Sequence, residues 1–122
     1  DLRETVSVGR NRNDAARQPA SDVWFGPFNS SETTIEWRSL GTRPFAMIQR
    51  WHIADHADRD REDRPRTKAM LVVSRLPPGA VCHVAYVDAI ANGNANELAR
   101  QAADELARGF DCGKDIELAT AR

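Results

Sequence analysis

The chain has 122 residues, 41% of them hydrophobic and 29% charged, with a formal net charge of −1. That size and balance fit one globular domain built on one core and leave no room for a second. No run approaches the roughly 18 consecutive apolar residues of a membrane helix, so no membrane span is expected, and a near-zero net charge gives no long-range attraction for nucleic acid or an anionic surface.

Residues 1 to 22 are polar, with Leu2, Val6 and Val8 as a sparse alternating apolar set, and are expected to form an N-terminal arm or edge strand ahead of a single domain over 23 to 122. Val23, Trp24, Phe25 and Phe28, interrupted by Gly26 and Pro27, are expected to plug one end of the core. From Thr33 to Ser39 the chain alternates, which predicts a strand with Ile35 and Trp37 facing inward and Glu36 and Arg38 outward. A Gly- and Pro-bearing turn over 40 to 44 leads to a second long strand with Phe45, Met47, Trp51 and Ile53 on one face. Residues 55 to 68 hold five acidic and five basic side chains with little to bury, and are expected to form a solvated loop.

KAMLVVSRL is apolar on both faces, as a central strand requires, and Pro77, Pro78 and Gly79 predict a turn to a returning strand over 81 to 87. Asn94 with Glu97 three residues on marks a helix start of the capping-box kind. Leu98, Ala102, Leu106 and Phe110 then recur at four-residue spacing beside Ala95, Ala99 and Ala103, and Gly109 ends the pattern. Ile116 to Leu118 is expected to add a last short strand. The predicted architecture is α+β: an antiparallel meander of about four to five strands with one C-terminal helix packed on it.

The two cysteines flank this strand–turn–helix unit, Cys82 opening a strand and Cys112 following the helix. A bond between them would tie the helix exit to the sheet, close about 30 residues and stabilise the fold by roughly 3 to 4 kcal/mol in the chain-entropy account. It would also place the protein in an oxidising compartment, periplasmic or secreted. The opening at Asp1, without methionine, fits a processed, trimmed or partly observed chain, and a removed signal peptide is the expectation that accompanies export.

The residues with ligand chemistry, His52, Asp55 and His56, are the candidates for a metal, but four-residue spacing separates side chains along a strand instead of gathering them, so no metal and no other cofactor is expected. Ser74 and Ser39, with His83 or His52, have the right types for a nucleophile and base, yet no GxSxG, SxxK or phosphate-loop signature frames them. Cys82 and His83 are neighbours on a strand and point apart, with His83 expected on the outer side. Catalytic residues are therefore assigned to none, and a non-enzyme is favoured. Trp51 with Arg38, Arg43 and Arg50 offers the expected contact surface for a protein or small ligand.

Cys82, Tyr86, Val87, Asp88 and Asn92, followed by the helix and Phe110-Asp111-Cys112-Gly113, resemble a group of small exported bacterial proteins of unassigned activity. CHVAYVDAIANGNANELARQAADELARGFDCG carries the resemblance over about a quarter of the chain, and TTIEWRSLGTRPFAMIQRW echoes it. It implies an exported protein with two bonded cysteines, as the residues do, and no reaction. The expectation is an exported binding module without catalytic activity. The alternatives are a small metal-binding or hydrolytic protein using His52, Asp55 and His56, or a structural component of a cell-envelope assembly.

Overall fold

The computed structural model describes residues 6–9, 11–18, 20 and 30–112, with the backbone course alone at 33, 55 and 56. The apolar cluster at 23 to 28 and the short strand at 116 to 118 expected from the sequence lie outside the described residues. A short helix, α1 (Arg12–Ala16), is followed by β1 (Ser30–Leu40), β2 (Arg43–Arg59), β3 (Pro65–Arg75), β4 (His83–Asp88) and α2 (Ala95–Ala102), which continues as a wider π-helical turn over Ala103–Ala107. The described strands form one antiparallel sheet in the order β1-β2-β3-β4, so the α+β meander with a late helix is the observed fold.

The helix rests on one face of the sheet. Ala46, Ile48, Leu71, Val73, Ala85 and Val87 meet the buried alanines of α2 and its continuation, with Phe110 closing the cluster. Alanine carries no bulk beyond Cβ, so the helix axis can approach the strands closely, and dispersion contacts take the place of larger side chains. Ala107 is fully buried while Leu98 and Leu106, expected in the apolar stripe, pack at its margin. The extra residue in the turn over Ala103–Ala107 carries Ala107 under the sheet in place of Leu106.

The opposite face is buried as well. Met47, Trp51, Val72 and Ser74 are each almost wholly covered, as is His83, which the sequence reading placed outward. His83 and Ser74 are cross-strand partners on this second face, so a side chain pointing away from Cys82 meets protein and not solvent.

Three further expectations are corrected. In β1, Glu36 and Arg38 point to the helix side, opposite Ile48 and Ala46, while Trp37 on the other face is 50% exposed. Alternation fixes which residues share a face but not which face the helix covers. Phe45 leaves the face of Met47 and Trp51 because a bulge pairs Arg38 with Ala46 and Ser39 with Pro44, and it packs against the helix-side core. Residues 55 to 68 extend β2 and β3 into a long hairpin instead of a loop, with the ladder continuing through Asp55↔Arg66 and resuming at Arg59↔Pro65. Its turn is built by Asp60, whose Oδ1 accepts from the amides of Glu62 at 2.9 Å and Arg64 at 3.0 Å, with Asp63 at φ 61°. A two-stranded ribbon of this kind needs backbone pairing more than burial, and Arg66 reaches Asp58 at 3.5 Å across it.

The N-terminal residues are neither a plain arm nor a strand where described. Asn11 caps α1 by accepting from the Asp14 amide at 2.9 Å. Gln18 then accepts from the Val81 amide at 3.0 Å, and the Ala20 amide donates to Val81 O at 3.0 Å. Asn94, by contrast, sits at the start of α2 with ψ 34° and makes no side-chain cap bond, since a capping side chain requires the extended backbone that Asn11 has. The Cys82–Cys112 disulfide is formed, and it fastens the helix exit beside the start of β4.

Candidate functional site

A meander places alternate turns at the same end. The β1–β2 turn at Gly41 and the β3–β4 connection at 76 to 82 therefore stand side by side, and α2, starting from the far end of β4, returns to them with Ala107 and Arg108. Leu76 donates its amide to Phe45 O at 3.0 Å, which locks the two turns together. Between them lies a cavity of about 250 Å³ with an apolar lining from Leu40, Phe45, Leu76, Pro77 and Pro78 and three guanidinium groups, from Arg43, Arg75 and Arg108.

The arginines are held in different ways. Arg75 donates from Nη1 to Ala80 O at 2.7 Å and from Nη2 to Pro78 O at 3.1 Å, and its Nε is buried with no hydrogen-bond partner. Arg108 stacks over the Phe45 ring at 5.1 Å from its centroid. Arg43 is exposed at the rim. Among the described residues none of the three is in ion-pair contact with a carboxylate, though Arg108 helps to lower the Asp104 pKa, whereas Arg17, Arg38, Arg50, Arg59, Arg66 and Arg100 each reach a carboxylate. Leu40, at the cavity mouth, is 65% exposed.

Two further hollows adjoin this one. The first, on the Trp37 side, shares Arg43, Pro44 and Pro77 with it and also touches Val8. The second, on the disulfide side, shares Arg75 and Arg108 and reaches Phe110 and Cys112.

Of the residues expected to form the contact surface, only Arg43 belongs to this end. Arg38 donates from Nε and Nη2 to the two carboxylate oxygens of Asp104 at 3.0 and 2.7 Å. Arg50 Nε lies 3.7 Å from Glu32. Trp51 is 1% exposed and is a core residue, because its in-phase position on β2 falls on a face that is covered. His52 Nε2 lies 3.1 Å from Glu32 Oε2, and no three His, Cys, Asp or Glu side chains come together to hold a metal among the described residues. The side chains of Asp55 and His56 fall outside the described residues.

The nucleophile–base pairing of Ser74 with His83 is present as a cross-strand pair, but both side chains are sealed in the core. His83 Nδ1 shares a hydrogen bond of 2.9 Å with the Tyr86 hydroxyl, and burial lowers the imidazole pKa to about 4. Tyr86, also part-buried, is raised for the same reason. Ser74 and His83 are therefore core side chains, with neither open to solvent.

Sequence reasoning missed Arg75, Arg108 and Phe45 as parts of one site. The signal was present in the two predicted turns: once a meander is accepted, residues beside the first turn and beside Pro77–Gly79 must be neighbours. No protein-family model, no curated protein and no solved structure matches the chain.

Proposed function

We propose that the protein is an exported binding module whose contact face is the arginine-lined cavity between the two turns. The observation that carries this reading is the combination of an apolar floor with three guanidinium groups, none of which is in ion-pair contact with a carboxylate among the described residues, although Arg108 also acts at longer range on Asp104. Elsewhere in the chain arginines are drawn to carboxylates: Arg38 to Asp104 and Arg100 to Glu36, each through two hydrogen bonds. Cationic groups left over an apolar surface, with one of them stacked on an aromatic ring, suit recognition of an anionic partner. Export is supported by the disulfide, which persists in oxidising compartments, and no helix among the described residues is long and apolar enough to cross a membrane.

The test is site-directed photo-cross-linking in the native host. A photo-reactive residue at position 40, at the cavity mouth, is compared with one at position 62 in the distant hairpin turn. Adducts at position 40 that disappear when Arg43→Glu and Arg108→Glu are introduced, with the melting temperature unchanged, support the reading. Adducts confined to position 62, or indifferent to the arginines, overturn it.

A further inference from the structure

We propose that the occupant of this face is an extended acidic peptide segment, with an apolar side chain seated in the central cavity and carboxylates on either side of it. The inference rests on the binding-module reading and adds the class of partner. Three features of the site select that class.

The first is shape. The central cavity shares lining residues with a hollow beside Trp37 and with another beside the disulfide, the three having volumes of about 250, 450 and 390 Å³, so separate hollows adjoin one another at the turn end of the molecule. One compact small molecule would fill a single hollow, whereas an extended chain places successive side chains in successive ones.

The second is charge. Arg43 lines both the Trp37-side hollow and the central cavity, and Arg75 and Arg108 line both the central cavity and the disulfide-side hollow. Positive groups therefore lie at both borders of the apolar centre, and a ligand complementary to them carries negative groups flanking an apolar one. Of the negative side chains nearby, Asp104 is held by Arg38 through two hydrogen bonds and more distantly by Arg108, and Asp111, at the edge of the disulfide-side hollow, also has an interaction partner.

The third is the character of the surface between the charges. Leu40 is largely exposed, Trp37 half exposed, and Pro44, Pro77 and Pro78, which line both hollows, have no side-chain freedom to lose on contact. A nucleic acid, whose charge is carried on its backbone at close regular spacing, would leave this apolar surface unmatched.

The test uses fluorescence anisotropy with the intact, disulfide-bonded protein. Labelled peptides in which glutamates alternate with leucine and phenylalanine are compared with the same peptides carrying lysine for glutamate, with peptides carrying serine for the apolar residues, and with a single-stranded oligonucleotide. We expect saturable binding of the acidic–apolar peptides alone. It should weaken roughly tenfold or more in an Arg43→Gln, Arg108→Gln double variant, since each lost bond to a charged group costs a sizeable part of such a factor. Equal binding of the oligonucleotide or of the serine peptides would overturn the proposal and identify a general polyanion site, with the cavity still the contact face. Absence of peptide binding, with cross-linking at position 40 intact, would overturn the peptide assignment and leave the binding-module reading standing. Peptide binding that ignores both arginine substitutions would place the contact elsewhere and overturn both.

Discussion

Arg75 and Gly79 share one space: a Cβ on residue 79 would stand 2.7 Å from Arg75 Nη1 and 2.8 Å from Nη2. The guanidinium can fold back over the turn and bond the carbonyls of Pro78 and Ala80 only because residue 79 has no side chain. Gly79 also has φ +100°, which L side chains rarely adopt. Gly79→Ala therefore meets both a strained backbone and a displaced guanidinium, and is expected to lower stability by about 2 to 4 kcal/mol in urea unfolding. In an Arg75→Ala background the same change should cost less, because the steric conflict is gone and the backbone strain remains. A neutral Gly79→Ala would mean that the turn rearranges and that Arg75 does not hold it.

His83 sets an acid limit on the fold. Burial lowers its pKa to about 4, below its ordinary value of 6.5, so the unfolded chain takes up the proton before the folded one does. The stabilisation is complete above about pH 6.5 and drains away as the pH falls towards 4, for a total of about 3 kcal/mol. The carboxylates of Glu36, Asp88 and Asp104 are themselves lowered from ordinary values of 4.5, 3.8 and 3.8, so their losses come at more acid pH than the start of this window. Unfolding free energy measured between pH 7 and 4.5 should fall in the native chain and be nearly flat in a His83→Gln variant that keeps a polar partner for Tyr86. An equal slope in both would show that His83 is protonated as readily in the fold as out of it.

The two ion pairs that join β1 to the helix look strong in geometry and should be modest in energy. Arg38 with Asp104 and Arg100 with Glu36 are both bidentate, and the hydrogen bond from the arginine is the chief reason each carboxyl titrates low. Yet the side chains of Asp104 and Arg38 are 44% and 31% exposed, and water screens their attraction. A double-mutant cycle with Arg38→Ala and Asp104→Ala is expected to give a coupling below about 1 kcal/mol that shrinks as salt is raised. A coupling that is larger and insensitive to salt would mean that the pair is dehydrated in solution.

How much of this was readable from the chain follows from which physical signals are local. The strand pairing around Pro77, Pro78 and Gly79, the helix at Ala95–Ala107 and the Cys82–Cys112 bond were legible because alternation, turn chemistry and cysteine placement each act over a few residues. The orientation of β1 was not, since Glu36 and Arg38 face the helix only because Arg100 and Asp104, more than 60 residues away in sequence, stand opposite. Residues 55 to 68 carry the polarity of a loop, but side-chain polarity is no measure of order there, since the hairpin is held by its backbone ladder and by Asp60. Trp51 lies beside Arg50 in sequence, but adjacent strand positions face opposite ways, and burial separates it from the arginines.

The disulfide should matter to the cavity as well as to the fold. Cys112 Sγ lies 3.6 Å from Ala80 O, the same carbonyl that accepts from Arg75, so the bond anchors the helix exit against the turn that carries one wall of the site. With the cysteines 30 apart in sequence, the chain-entropy account gives about 3 to 4 kcal/mol of stabilisation, which Cys82→Ala, Cys112→Ala should remove in urea unfolding. The double variant is still expected to fold, because β1, β2 and β3 and the buried alanines of α2 do not depend on the bond for their packing. Hydrogen exchange then separates the two effects: amides of β2 and β3 should lose protection only as global stability falls, while those around Ala80 and Arg108 should exchange faster than that loss accounts for. Uniform loss of protection would show that the bond acts through the unfolded chain alone and leaves the shape of the cavity untouched.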